Sequence, residues 1–79
     1  MPSKAEVRGA IAALAAARAP RTICPSEVAR ALSEDWRPLM PLVREVAGEM
    51  QSEGALRVSQ GGAPADPVAA KGPIRLAAR

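Results

Sequence analysis

A chain of 79 residues with one Trp, no Phe and no Tyr holds one small domain, and it excludes an enzyme built from separate substrate and cofactor lobes. With no His and a single Cys, zinc cages, internal disulfides and Cys-His or Ser-His catalysis lack their residues, so no cofactor and no metal is expected. The formal charge is +3, from eleven Lys and Arg against eight Asp and Glu, and the excess is mostly Arg, a composition suited to phosphate.

Ser3 and Glu6 have the S-x-x-E spacing of a capping box, which predicts a helix from about Lys4 to Arg18. Val7, Ile11, Leu14 and Ala17 or Arg18 mark its apolar stripe, and Ala19-Pro20 ends it. Thr22-Ile23 is short and β-branched and suits an extended bridge. Cys24-Pro25-Ser26-Glu27 reads as a second helix start, with proline where its missing N–H costs nothing. That helix is about eight residues long, buries Val28, Ala31 and Leu32, and stops at the turn Ser33-Glu34-Asp35. A third helix follows a tight first turn at Asp35 to Pro38 and runs from about Pro38 to Ser52, its stripe being Leu39, Val43, Val46 and Met50. Gly54 caps it. Beyond Gly54 the period becomes two: Leu56, Val58 and Gln60 share one face of a strand, Arg57 and Ser59 the other. Gly61 to Gly72 reads as a loop, Ile74 to Leu76 as a second strand of a hairpin, and residues 77 to 79 as a fraying end.

Helix, bridge, helix, turn, helix, strand, loop, strand is the order of an α+β domain of the winged helix-turn-helix type: three helices with a C-terminal β-hairpin wing, one domain over residues 1–79. Cys24-Pro25-Ser26-Glu27-Val28-Ala29-Arg30-Ala31-Leu32, Trp36-Arg37, Leu39-Met40, Val43-Arg44, Gln60-Gly61 and Gly72-Pro73-Ile74-Arg75-Leu76 together resemble a family of small bacterial proteins known as a domain of unknown function. The resemblance covers nearly the whole chain. It implies a winged-helix fold and brings no activity or catalytic residues.

The third helix stands where a recognition helix would. Arg37, Arg44, Gly48 and Gln51 fall on one flank of it and Glu45, Glu49 and Ser52 on the next. Arg and Gln are the residue types that meet guanine and adenine edges or phosphate, and Gly48 would let the helix approach a groove. The competing reading is an ordinary solvated face. Arg57 and Arg75 point outward from the wing strands and Lys71 lies near the tip, positions from which a wing touches phosphate; charges that guard exposed sheet edges are the alternative. Cys24 is expected to be a small capping residue rather than a nucleophile. Trp36, the lone aromatic, is expected at the centre of the core with Leu32, Leu39 and Leu56.

Charge is unevenly distributed. Met1 to Cys24 carries four cations and one anion (+3), Pro25 to Glu53 three and six (−3), and Gly54 to Arg79 four and one (+3). Two functions compete: a noncatalytic module binding double-stranded DNA weakly, alone or as a dimer, through Arg37, Arg44, Gln51, Arg57, Lys71 and Arg75; or a protein-interaction module on the same scaffold, which the acidic middle favours. No stretch approaches the roughly 20 apolar residues of a membrane span, and Ile11 to Ala17 is too short and Ala-rich for a signal-peptide core. No membrane partner is expected, and the location expected is cytoplasmic.

Overall fold

Ser3 and Glu6 cap each other reciprocally: the Glu6 N–H donates to Ser3 Oγ (3.1 Å) and the Ser3 N–H to Glu6 Oε1 (3.3 Å). The helix they start, α1, spans Lys4–Arg18 in the computed structural model, which describes residues 1–79. Its buried side is Val7, Ile11 and Ala15, with Leu14 half-buried and Ala17 exposed. The stripe centres on Ile11: at roughly 3.6 residues per turn Val7 and Ala15 lie about 40° to either side of it, Leu14 about 60° and Ala17 about 120° away.

The second helix, α2, spans Pro25–Leu32. It buries Pro25, Val28 and Ala29, so Ala31, expected inside, is exposed, and Leu32 is half-buried. The Cys24 N–H donates to Glu27 Oε2 at 2.8 Å, satisfying an orphan group at the helix start. A 3₁₀ turn at Arg37–Leu39 leads into α3, Met40–Ser52. The two prolines explain the split: Pro38 lies in the tight turn and Pro41 in the first turn of α3, so neither removes an interior helical hydrogen bond. Val43, Val46, Ala47 and Met50 face inward, joined by Leu39.

Gly54, at φ +76°, turns the chain out of α3 into β1, Leu56–Gln60. The segment from Gly61 to Gly72, expected as loop, contains a short strand. Gly61 and Gly62, both at positive φ, make a tight turn and bring back β2, Ala63–Pro64, in register Ser59↔Pro64 and Gln60↔Ala63. The last strand, β3, spans Arg75–Ala78 and pairs antiparallel with β1 from Leu56↔Ala78 to Ser59↔Arg75. The expected fraying is therefore corrected for residues 77 and 78: both are paired with β1 and Ala77 is buried, because β1 offers a ladder from Leu56 to Ser59, while Arg79 lies beyond the strand. The sheet order is β2-β1-β3, and Ile23 adds a bridge to the far side of β3 by exchanging hydrogen bonds with Leu76 (2.7 and 2.8 Å).

The architecture is α+β, three helices and a three-stranded antiparallel sheet. The core lies between them, with Ile11, Val28, Val43 and Val46 from the helices meeting Leu56, Val58 and Leu76 from the sheet and Ile74 just before β3. Trp36 is only half-buried at the margin of this core, not at its centre as expected; aliphatic side chains fill the middle. No helix is long and apolar enough to cross a membrane.

Candidate functional site

Arg44 and Gln51, expected to face outward from α3, are engaged by the segment between β2 and β3. The Arg44 guanidinium donates to the carbonyls of Pro67 (3.2 Å), Ala70 (3.0 Å) and Gly72 (2.7 Å), and Gln51 Nε2 donates to the Ala65 carbonyl (2.8 Å). Gln60 holds the same segment from the sheet side through the carbonyls of Lys71 and Pro73. Asp66 folds it locally by accepting the N–H groups of Val68 (2.9 Å) and Ala69 (3.3 Å). The segment thus lies along α3, and the space over Gly48 is bounded by Pro67 and Val68 rather than open to a groove.

The other flank of α3 is acidic and meets α1. Lys4 Nζ lies 2.7 Å from Glu49 and 3.3 Å from Glu45, and the Arg8 guanidinium forks onto both oxygens of Glu53. These contacts raise Lys4 and Arg8 above their ordinary pKa, and the Arg8 hydrogen bonds hold the Glu53 carboxyl below its own. Glu45 and Glu49 are therefore paired across helices rather than with Arg44 or along α3. The outward strip of α3 that remains is Pro41, Glu45, Glu49 and Ser52, all exposed.

The outer face of the sheet is different. Arg57 and Ser59 of β1 share it with Arg75 and Ala77 of β3, by the pairings Arg57↔Ala77 and Ser59↔Arg75. Arg57 and Arg75 are both exposed, as expected. β2 pairs only with Ser59 and Gln60, so at Arg57 strand β1 has β3 on one side and no strand on the other, a position at which a charge can also guard a sheet edge. Arg75 Nε donates to Thr22 Oγ1 at 2.8 Å and a terminal nitrogen to the Thr22 carbonyl at 3.3 Å. Thr22, Arg57, Ser59, Ala77 and Arg79 line one shallow depression. No Asp or Glu is among its lining residues.

Arg37 and Lys71 are exposed and far from this pattern in their bonding. Arg37 stacks on Trp36, its Cζ 4.6 Å from the ring centroid, and Arg30 does the same from α2 at an equal distance. Lys71 belongs to the segment that Gln60 holds by its backbone. The structure thus gathers Arg57 and Arg75 on one face, places Arg44 and Gln51 under the loop, and sets Arg37 beside Trp36. Arg30, Thr22 and Arg79 were missed in the sequence. Arg79 was hidden by the expectation of a frayed end, although its period-two relation to Arg75 and Ala77 was a usable signal.

Cys24 sits half-buried at the start of α2, where Ser26 Oγ donates to its sulfur at 3.1 Å. Glu27 is held below the ordinary carboxyl pKa first by the Cys24 N–H and then by Arg18, 2.7 Å away.

Among curated proteins, none matches this chain. A family model does: it aligns to residues 4–79, taking in all three helices, the sheet and the depression on its outer face. The chain belongs to that family, described as Protein of unknown function (DUF3253).

Proposed function

We propose that this chain is a noncatalytic winged-helix module that binds the phosphates of duplex DNA through its sheet, without inserting α3 into a groove. The order of elements supports the winged-helix reading: α2, the 3₁₀ turn and α3 form the helix-turn-helix, and β1 and β3 with their connecting segment form the wing. The observation that carries the function is the separation of charge. The exposed strip of α3 holds Glu45 and Glu49 with Lys4 as their one shared partner, a net negative patch that phosphates would repel, whereas the outer face of the sheet holds Arg57 and Arg75 with no Asp or Glu among the residues of its depression. Lys71 and Arg37 add charge from the periphery. Arg44 and Gln51 leave the contact set and become the residues that hold the wing segment in place.

Such binding is read by position and charge, not base edges, so it is weak, salt-dependent and tolerant of sequence. The test is a duplex titration at about 50 mM salt, where electrostatic attraction is strong. Arg57→Glu abolishes binding in this reading, while Glu49→Lys changes it little, because Glu49 lies away from the contact surface. Absence of binding at protein concentrations around 100 μM overturns it, since nonspecific dissociation constants for DNA lie at or below that range.

The acidic strip Pro41, Glu45, Glu49 and Ser52 favours a second reading, a protein-interaction module with a basic partner surface and no nucleic acid. Failure of the titration brings that reading to the front.

A further inference from the structure

The outer face of the sheet has a centre that the charge argument alone does not use. Ala77 is buried, yet it lies outside the main cluster of packed apolar side chains; its neighbours Leu76 and Ala78 pack against that cluster, and by alternation it faces the other way. Arg57 lies directly across β1 from it. On its other side the antiparallel bridge Ile23↔Leu76, continued by one residue, sets Thr22 beside it. Arg75 and Arg79 precede and follow it by two residues on the same face, each roughly 7 Å away along the strand, with Arg57 about 5 Å across. A methyl group therefore forms the floor of a shallow cup lined by Arg57, Arg79, Thr22 and Ser59, with Arg75 at its border, tied to Thr22.

The hydrogen bonding prepares this cup for an anion. Thr22 Oγ1 accepts from Arg75 Nε, which leaves the Thr22 hydroxyl hydrogen free to donate, and Arg75 is fixed at two of its nitrogens by Thr22. Ser59, opposite Arg75, supplies a second hydroxyl. Glu27, whose carboxylate feels Arg75 only as the least of its partners, is itself engaged by the Cys24 N–H and by Arg18. Three cations and two hydroxyls around a small floor match the size and the several acceptor oxygens of a phosphate group better than a planar carboxylate.

We infer that the cup around Ala77 is a binding site for a single phosphate group, with Arg57, Arg75 and Arg79 as its charges and Thr22 and Ser59 as hydroxyl donors. This rests on the DNA reading for the source of that phosphate, a backbone phosphodiester; a small phosphate compound is the other source of the same chemistry. The experiment follows the amide and arginine side-chain signals of the ¹⁵N-labelled full chain during titration with inorganic phosphate, against sodium chloride at equal ionic strength, and separately with duplex DNA. Saturable shifts confined to Thr22, Arg57, Ser59, Arg75, Ala77 and Arg79 are expected with both. Ala77→Val, which fills the floor with a side chain that strands accept, lowers phosphate affinity about tenfold, the loss of roughly one charge-assisted contact. Arg79→Gln does the same while leaving the floor of the cup and the paired strands unaltered, so the site remains testable if Ala77→Val perturbs the sheet. Phosphate shifts spread evenly over all cations, or unmoved by both variants, overturn the site. Saturation by phosphate without binding of DNA keeps the site and removes the DNA reading. Binding of DNA with shifts elsewhere, unaffected by either variant, does the reverse.

Discussion

Two guanidinium groups, those of Arg30 and Arg37, lie 4.6 Å from the centre of the Trp36 ring, and neither forms a salt bridge although Glu34 and Asp35 occupy the same turn. The ring is held at the margin of the core by stacking as well as by burial. Replacing either arginine by Gln is expected to cost about 0.5–1 kcal/mol, the size of an exposed cation–π contact. The fluorescence of Trp36 reports the same arrangement: iodide, drawn by the two cations, quenches it more strongly than caesium does, and equal quenching by the two ions refutes the stack. Glu27 gives a second test at this scale. Its carboxyl is depressed in the folded protein, chiefly by the Cys24 N–H and then by Arg18. A depressed folded pKa means that the contribution to stability is present above the unfolded value, near 4.3, and is lost as pH falls below that value and through the folded one. Glu27→Ala is expected to cost about 1 kcal/mol at neutral pH, in the range of a lost helix cap, and to shrink that difference from wild type as pH falls below about 4. Urea denaturation at pH 7 and pH 3 measures both.

The segment between β2 and β3 stands out among the elements, because side chains on α3 and β1, more than its own regular structure, hold it down. Arg44 satisfies three of its carbonyls at once. Arg44→Ala is expected to cost about 2–3 kcal/mol, hydrogen bonds from a charged donor being worth more than neutral ones, and Arg44→Lys to recover only part of it because an ammonium lacks the planar fork. Hydrogen exchange should speed up from Ala65 to Gly72 in both variants while α1 and α2 keep their protection. Gly48 offers a change of opposite sign. A methyl group there meets Pro67 Cγ and Val68 Cγ2 at 3.5 Å, ordinary contact, so Gly48→Ala should stabilise α3 by about 0.5–1 kcal/mol, read as a raised thermal midpoint. These elements also mark what the sequence could disclose. The helix boundaries were legible because capping side chains and prolines act locally: Ser3 with Glu6, Pro25 with Glu27, Gly54 at the end of α3. The strand at Ala63–Pro64 and the end of β3 at Ala77-Ala78 were not, since Ala and Pro carry little strand preference and owe their conformation to pairing with β1. The outward face of the sheet followed from period two, so Arg57 and Arg75 were placed correctly. The engagement of Arg44 and Gln51 depended on a segment without periodicity, and no pattern in the sequence pointed to it.

For the molecule as a whole, the net charge matters less than where it is neutralised. Lys4 and Arg8 bring α1's charge against Glu45, Glu49 and Glu53, and Arg18 meets Glu27, so the acidic middle of the chain is met largely by its own basic beginning. Arg57, Arg75 and Arg79 form no salt bridge with Asp or Glu and are exposed, and the depression that Arg57 and Arg79 line holds no Asp or Glu, which sets up a one-sided field. If Arg57, Arg75, Arg79 and one peripheral cation meet phosphates, the logarithm of duplex-DNA affinity falls against the logarithm of salt with a slope of about −3 to −4, at about 0.9 per phosphate. Arg57→Gln should lower that slope by about one unit and weaken all sequences alike. Arg44→Ala discriminates between the two ways of using the fold: with the sheet as contact surface the slope stays the same, because Arg44 reaches only carbonyls of its own chain, whereas insertion of α3 into a groove would cost it a unit. Glu45→Lys and Glu49→Lys separate them again, strengthening binding markedly if α3 enters the groove and scarcely if the sheet makes the contact. A slope that follows Arg44, Glu45 and Glu49 but not Arg57 would return the interface to α3.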